Sequence, residues 1–132
     1  MCIGKIYKIP MGEKDGITAK GNYDHRNKFI IIIGKDTKNN CLGVVVVNSR
    51  INHLWSDYDF QYELKCEKYG SIFETNCYVN CSSLRPIDPN RLKDEKGTID
   101  KWDYNAIVDK IKKHPKIKKH TLKKYNLYAK LR

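Results

Sequence analysis

The sequence predicts a small, mainly β (α+β) domain, in which a β-rich barrel or sheet is followed by a C-terminal helix. Two runs of four β-branched residues, at positions 30–33 and 44–47, are too short for helices and apolar enough for strands buried on both faces. Period-two alternation elsewhere predicts three more strands. The clearest helical periodicity begins near residue 98, so the strands come first and the helix last.

The two β-branched runs are predicted to pair as an antiparallel hairpin. The ten residues between them, 34–43, include two glycines and two asparagines, which are typical of turns. A hairpin places the start of its first strand beside the end of its second strand. The polar residues flanking the two runs are therefore expected at one end of a rigid sheet: His25, Arg26, Asn27 and Lys28 with Asn48, Ser49 and Arg50. Their cations, amides and hydroxyl suit a phosphate-containing ligand.

Shorter signals mark the elements around this hairpin. In chain order they are a strand at 3–9 that ends at Pro10, a mobile loop at 11–22, strands at 60–66 and 76–84, and a turn held by two prolines at 85–92.

A helix is predicted after these strands. Thr98 is a candidate N-cap, and Pro115 is expected to stop the helix. Between them, apolar side chains recur at helical spacing at Tyr104, Ile107, Val108 and Ile111. Trp102 and Tyr104 are both interpreted as core aromatics.

The chain divides into a barrel domain, residues 1–113, and a basic tail or short helix, residues 114–132. Residues 110–132 hold ten of the 26 Lys and Arg and none of the 15 Asp and Glu, which accounts for nearly all of the net charge of +11. This excess indicates either an electrostatic contact with nucleic acid or an acidic protein, or a solvated face that aids solubility. A second short helix or a docked tail could be anchored by Leu122, Tyr125, Leu127 and Leu131.

Composition narrows the functional classes. Five cysteines, an odd number, argue against a secreted disulfide scaffold. Cys77 and Cys81 share a strand face but lie about 13 Å apart, too far for one zinc, so buried thiols are the better interpretation and no metal site is expected. No apolar stretch has membrane-spanning length and the N-terminus does not read as a signal peptide, so a cytoplasmic protein that does not engage a membrane is expected.

The ordered series of motifs resembles the MazF/PemK family of toxin endoribonucleases, which belong to bacterial toxin–antitoxin systems. The matching segments are GKIY at residues 4–7, FIIIIGKD at 29–36, VVVVNSRIN at 44–52, YVNCSSLRPIDPNRL at 78–92, and Gly97 with the helix that follows. The resemblance covers roughly residues 3–113 and implies an SH3-like β-barrel with a C-terminal helix. It also implies a homodimer with RNA in a groove at its interface.

The activity implied by this resemblance is cleavage of single-stranded RNA without a metal or other cofactor. The expected partner is an antitoxin, which is either a protein or an RNA. The candidate catalytic residues are Arg26, His25, Lys28, Asn48 and Ser49. The candidate RNA-binding residues are Tyr23, Arg50, Asn52, Asn80 and Ser83. Each also has a simpler interpretation as a loop, turn or surface residue.

A second hypothesis from another class stays open. Lys28-Phe29 stands where the family has an Arg-Pro pair, and Asn48 stands where it has a catalytic Thr or Ser. These differences favour a non-catalytic barrel that binds nucleic acid or a protein target, as the gyrase-targeting relatives of the CcdB type do. Cleavage of RNA in the presence of EDTA separates the two hypotheses.

Overall fold

The computed structural model describes residues 3–12, 25–47 and 61–127, which form a curled antiparallel sheet of six strands with two short helices. The strands are β1 (Lys5–Gly12), β2 (His25–Lys35), β3 (Cys41–Val47), β4 (Gln61–Leu64), β5 (Cys77–Ile87) and β6 (Glu95–Thr98), and the helices are α1 (Lys101–Lys113) and α2 (Lys119–Lys124). Their order across the sheet is β4-β5-β3-β2-β1-β6. The predicted mainly β class with a C-terminal helix is therefore confirmed.

β2 and β3 form the predicted hairpin. Phe29 pairs with Val46 and Lys35 pairs with Cys41, so β2 begins at the end of the sheet where β3 stops. Both strands are longer than the β-branched runs, because β2 also includes the polar residues 25–28 and β3 begins at Cys41. The hairpin fixes which end of the sheet holds the predicted site.

The sheet buries apolar side chains on both faces. One face packs against the helices in a helix-side core that includes Ile31, Ile33, Val44 and Val46 from the hairpin. The opposite face carries a smaller second core formed by Tyr7, Ile9, Ile30, Ile32, Cys41, Val45 and Ile87. The side chains of β2 and β3 alternate between these two cores, which is why their central runs contain no polar residue.

Two strands continue through prolines that were expected to end them or to lie in a turn. β1 runs past Pro10, which pairs with Asn27. Lys8 N–H donates to the Asp94 carbonyl on the β6 side of β1 at 2.9 Å. The nitrogen of Pro10, two residues on, therefore faces the side where β6 no longer pairs, and no ladder hydrogen bond is lost. Pro86 lies within β5 opposite Leu42, beyond residues 77–80 where β4 pairs.

The start of the helix also differs from the prediction. Thr98 ends strand β6, and the N-cap of α1 is Asp100, whose Oδ1 accepts a hydrogen bond from the Asp103 N–H at 2.8 Å. β6 was not predicted, because its sequence EKGT has no apolar alternation and it forms by pairing with β1 at the sheet edge. The helix ends at Lys113, with His114 as its C-cap before Pro115.

Asp103 ties the first turn of α1 to the rest of the fold. Its carboxylate accepts hydrogen bonds from the hydroxyls of Tyr62 and Tyr69, both at 2.5 Å, and the Lys68 ammonium lies 3.3 Å from it. Burial, together with the bond to this carboxylate, raises the pKa of both phenols above their ordinary value. The buried carboxylate therefore has partners on β4 and on the segment between β4 and β5.

The two aromatic residues of α1 have opposite environments. Tyr104 is buried, and its hydroxyl donates to the Ile33 carbonyl at 2.5 Å. Burial raises the pKa of Tyr104 to about 12. The prediction of a core position is wrong for Trp102, which is 70% exposed with the Lys101 ammonium 5.2 Å from its ring centroid. The helical stripe starts at Tyr104, and Trp102 lies off it.

The basic C-terminal segment is docked on the sheet as far as it is described. Leu122, Tyr125 and Leu127 are buried in the helix-side core, and the fourth predicted anchor, Leu131, lies outside the described residues. A Cβ at Gly34 would overlap the Tyr125 carbonyl oxygen, so the absence of a side chain at position 34 allows the segment to approach β2 closely. Neither described helix is long and apolar enough to cross a lipid bilayer.

Candidate functional site

Part of the predicted site lies outside the described residues. Tyr23, Asn48, Ser49, Arg50 and Asn52 belong to this group. The structure gives the strand positions of His25, Arg26 and Ser83 and describes the side chains of Lys28 and Asn80. The geometry of the site is therefore built on the ends of four strands and on the side chains described there.

Four strand ends meet at the edge of the sheet where the site was predicted. Gly12, the last residue of β1, pairs with His25, the first residue of β2. Val47, the last residue of β3, pairs with Tyr78 at the start of β5. The hairpin thus brings the backbone of residues 25–28 to the end of the sheet at which the β3 strand stops.

Lys28 and Asn80 share one face of the sheet at this end. Lys28 lies two residues before Ile30, which belongs to the second core. Asn80 lies two residues after Tyr78, whose partner Val47 packs against the same core. Both side chains are half-buried. β3 lies between their strands, so the two positions are about 10 Å apart across the sheet. A short stretch of sugar-phosphate backbone can span that distance.

Two polar side chains of β4 also lie on this face and were not predicted as site residues. Glu63 of β4 pairs with Tyr78 of β5, and the Tyr78 hydroxyl donates to Glu63 Oε2 at 3.1 Å. Gln61, two residues before Glu63, pairs with Asn80 and is buried. The sequence showed these residues as the polar side of an alternating strand. Their position near Lys28 depends on strand pairing that alternation does not specify.

A shallow cleft lies on the other side of β1 from β2. Its lining includes the cations Lys8, Arg91 and Lys93 and the carboxylate of Asp94. Arg91 Nη2 donates to the Pro10 carbonyl at 2.7 Å, which fixes the guanidinium beside the β1 segment that pairs with β2 residues 26–28. These cations were not predicted as site residues, since Arg91 is 81 residues from its partner Pro10 in the sequence.

Ser83 is placed further from this end than the other β5 candidate. It precedes Leu84, which pairs with Val44 near the middle of β3. Between the pairs of Val44 and Val46 the register of β5 shifts, and Ser83 falls in that irregular stretch. The structure thus brings Lys28 and Asn80 to one face of the sheet end, and Ser83 lies toward the centre of the sheet.

The described cysteines behave as buried thiols where the sequence predicted it. Cys77 and Cys81 are buried in the helix-side core and carry free thiols. Burial raises the pKa of Cys81 to about 12 and also raises the pKa of Cys77. Within residues 3–12, 25–47 and 61–127, no group of three His, Cys, Asp or Glu side chains is placed to hold a metal ion.

Comparison with known proteins does not identify a family. No family profile and no curated protein matches the chain.

Proposed function

We propose that the protein is an endoribonuclease that cleaves single-stranded RNA without a metal, with an SH3-like barrel of the MazF/PemK kind. One observation carries the proposal: the start of β2, the end of β3 and the start of β5 lie at one end of the sheet. Lys28 and Asn80 lie on one face there, together with Glu63 and Tyr78. A cation, an amide, a carboxylate and a phenol on a rigid sheet are suitable groups for binding and cleaving a phosphodiester.

The chemistry requires three functions. A base removes the proton of the 2′-hydroxyl as O2′ bonds to phosphorus, and cations or donors stabilise the crowded phosphorane. An acid protonates O5′ as the P–O5′ bond breaks, leaving a 2′,3′-cyclic phosphate and a 5′-hydroxyl. His25 is proposed as base or acid, because an imidazole titrates near neutrality. Arg26 and Lys28 are proposed to hold the phosphate, with Asn48 and Ser49 as donors.

The RNA chain on either side of the scissile phosphate needs further contacts. Tyr23 is proposed to stack on a base, and Arg50, Asn52, Asn80 and Ser83 are proposed to contact the backbone or base edges. Glu63 is a second candidate base, since its carboxylate lies on the face that carries Lys28. The protein is proposed to act as the toxin of a toxin–antitoxin pair, as a homodimer in the cytoplasm, with a protein or RNA antitoxin that blocks the site.

The decisive experiment is incubation of the purified protein with mixed-sequence RNA in the presence of EDTA. We expect discrete fragments that end in a 2′,3′-cyclic phosphate. RNA that is retarded on a gel but remains intact would favour the hypothesis of a non-catalytic binding barrel over that of an enzyme. RNA that is neither cut nor retarded would remove both RNA-directed hypotheses.

A further inference from the structure

A second concave surface lies at the opposite end of the β2–β3 hairpin. It is a cleft of about 570 Å³ between the hairpin turn and helix α2. Lys38 from the turn and His120, Lys123 and Lys124 from α2 line it, together with Asp36, Thr37 and Asn40. We call it the α2 cleft.

The α2 cleft is basic. Three lysines face one carboxylate, and that carboxylate is held by the turn: Asp36 Oδ1 accepts from the Lys38 and Asn40 N–H groups, each at 2.9 Å, and Oδ2 accepts from Asn40 Nδ2 at 3.2 Å. Lys116, Lys118 and Lys119 are exposed nearby along the chain. The surface therefore carries excess positive charge that the described acidic residues do not neutralise.

These charges are held on a docked segment. Leu122 lies in α2 itself, and Tyr125 and Leu127 follow it, all three buried in the helix-side core. Lys123 and Lys124 are exposed on the same helix. The helix therefore presents its lysines at defined positions above the hairpin turn, which is what a phosphate chain needs for repeated contacts.

The lining of the cleft favours a phosphate chain over a protein partner. Protein interfaces depend on buried aromatic or aliphatic anchors that fill pockets. The residues lining the α2 cleft are all polar or charged. A sugar-phosphate backbone needs cations and hydrogen-bond donors and no apolar pocket.

The position of the cleft separates it from the candidate catalytic end. β2 runs from His25 at that end to Lys35, which adjoins the hairpin turn. Eleven residues of strand span about 30 Å. A scissile phosphate at one end therefore cannot contact the α2 cleft, whereas a longer RNA can reach both.

We propose that the α2 cleft binds the sugar-phosphate backbone of RNA about 30 Å from the candidate catalytic end. The cleft retains long RNA strands by a sequence-independent contact. Its role in substrate retention rests on the proposed ribonuclease function, whereas its affinity for RNA does not.

The test replaces Lys123 and Lys124 with glutamine, which removes charge and keeps a good helix former. The matched control replaces two exposed lysines of α1, Lys101→Gln and Lys113→Gln, for the same change in net charge. Thermal melting verifies that both variants are folded. Binding is measured over a range of salt with a 2′-O-methyl RNA of about 20 nucleotides, which cannot be cleaved by 2′-hydroxyl attack and which exceeds the separation at about 3.4 Å per stacked nucleotide.

If each cleft lysine neutralises one phosphate, the salt slope falls by about 1.4 and affinity at roughly 0.1 M salt falls by about 25-fold. The α1 control variant is expected to keep most of the salt slope and most of the RNA affinity of the wild type. Equal losses in the two variants would overturn the proposal in favour of net charge alone. Binding to poly-glutamate, which imitates an acidic protein, is measured with the same variants. If the cleft variant keeps its RNA affinity but no longer binds poly-glutamate, the proposal is overturned in favour of an acidic protein partner.

A cleavage assay tests retention separately. The cleft variant should raise KM for the long RNA and leave the cleavage of a tetranucleotide unchanged. If the cleft variant changes the cleavage of the long RNA and of the tetranucleotide equally, the α2 cleft does not act as a remote contact for long RNA. Absence of cleavage by the wild type would refute the proposed ribonuclease and leave the binding result standing.

Discussion

At the scale of single residues, the proposed activity depends on which cations of the candidate site contact the scissile phosphate. Lys28 and Asn80 occupy one face of the sheet end, and Arg26 lies two residues before Lys28 in β2. A guanidinium offers a planar fork that fits phosphate oxygens, whereas an ammonium is a point charge. Arg26 is therefore the cation expected to matter most in the transition state.

Arg26→Ala is expected to lose about 3 kcal/mol of transition-state stabilisation, on the order of a hundredfold in rate, as removal of one preorganised donor does. Single-turnover cleavage rates measure it. Lys35→Ala, at the other end of the same strand, is the matched control and should cleave at the wild-type rate. If Arg26→Ala cleaves at the wild-type rate and Lys28→Ala cleaves slowly, then Lys28 and not Arg26 is the cation that stabilises the transition state.

Asp100 makes stability depend on pH at acid values. Burial acts to raise its pKa, but the Lys68 ammonium and the Asp103 N–H outweigh burial and hold the pKa of Asp100 below its ordinary value of 3.8. A lowered pKa in the folded state contributes stability that is present above the ordinary value and is lost as pH falls through the folded one. Asp100→Asn keeps the N-cap and removes this contribution.

The Asp100→Asn variant should therefore be less stable than the wild type at neutral pH, and the difference should shrink below pH 3.8. Urea denaturation at neutral and at acid pH measures the two differences. If the stability difference between the variant and the wild type is the same at neutral and at acid pH, the ion pair between Asp100 and Lys68 does not cause the loss of stability at acid pH.

At the scale of elements, one carboxylate positions helix α1. Asp103 accepts two phenol hydrogen bonds in a buried setting, and bonds to a charged group contribute more than neutral ones. Asp103→Ala should cost about 3 kcal/mol of unfolding free energy, because it also leaves two phenols without their acceptor. Asp109→Ala removes a partly exposed i,i+3 ion pair on the same helix and should change stability by less than about 0.5 kcal/mol. Similar midpoints in urea for the two variants would contradict the assigned role.

Helix α2 is held to the sheet by buried apolar residues in the helix and in the segment that follows it. Leu127 is fully buried, so Leu127→Ala should destabilise the fold by about 3 kcal/mol, the usual cost of truncating a buried leucine. Lys123→Ala, exposed on the same segment, should be nearly neutral. Thermal melting that is insensitive to Leu127→Ala would show that the segment is not part of the core. A truncation after Pro115 would remove Leu122, Tyr125 and Leu127 together and is therefore expected to destabilise the fold.

At the scale of the whole molecule, the sheet separates two basic regions. One lies at the end where β2 begins, with Lys28 on the sheet face and Arg91 across β1, and the other lies at the α2 cleft. About 30 Å of strand lies between them. Affinity and cleavage-site choice should therefore be separable properties.

The double variant Lys123→Gln, Lys124→Gln should cut a long RNA at the same positions as the wild type, although it binds that RNA less tightly. Sequencing of the fragment ends measures site choice, at RNA concentrations raised to restore equal occupancy. A changed set of cleavage positions would mean that the α2 cleft takes part in reading the RNA sequence.

The sequence by itself determined the hairpin and the class of fold. Eight β-branched residues in two runs can satisfy both their backbone and their side chains only in a sheet covered on both faces, and the structure has that arrangement. It also determined the helical stripe from Tyr104 to Ile111 and the apolar anchors in the tail, because a 3.6-residue period and isolated leucines among lysines are local signals.

The tertiary structure alone decided where strands end and which distant residues meet. Pro10 stays in β1 because its nitrogen faces the side where β6 no longer pairs, and Pro86 lies in β5 beyond the residues that pair with β4. β6 exists because β1 offers it an edge. Pairings between residues far apart in the chain set the positions of Glu63, Arg91 and the α2 cleft. Local propensity carries no information about such pairings, because they depend on which edges and faces the rest of the sheet leaves available.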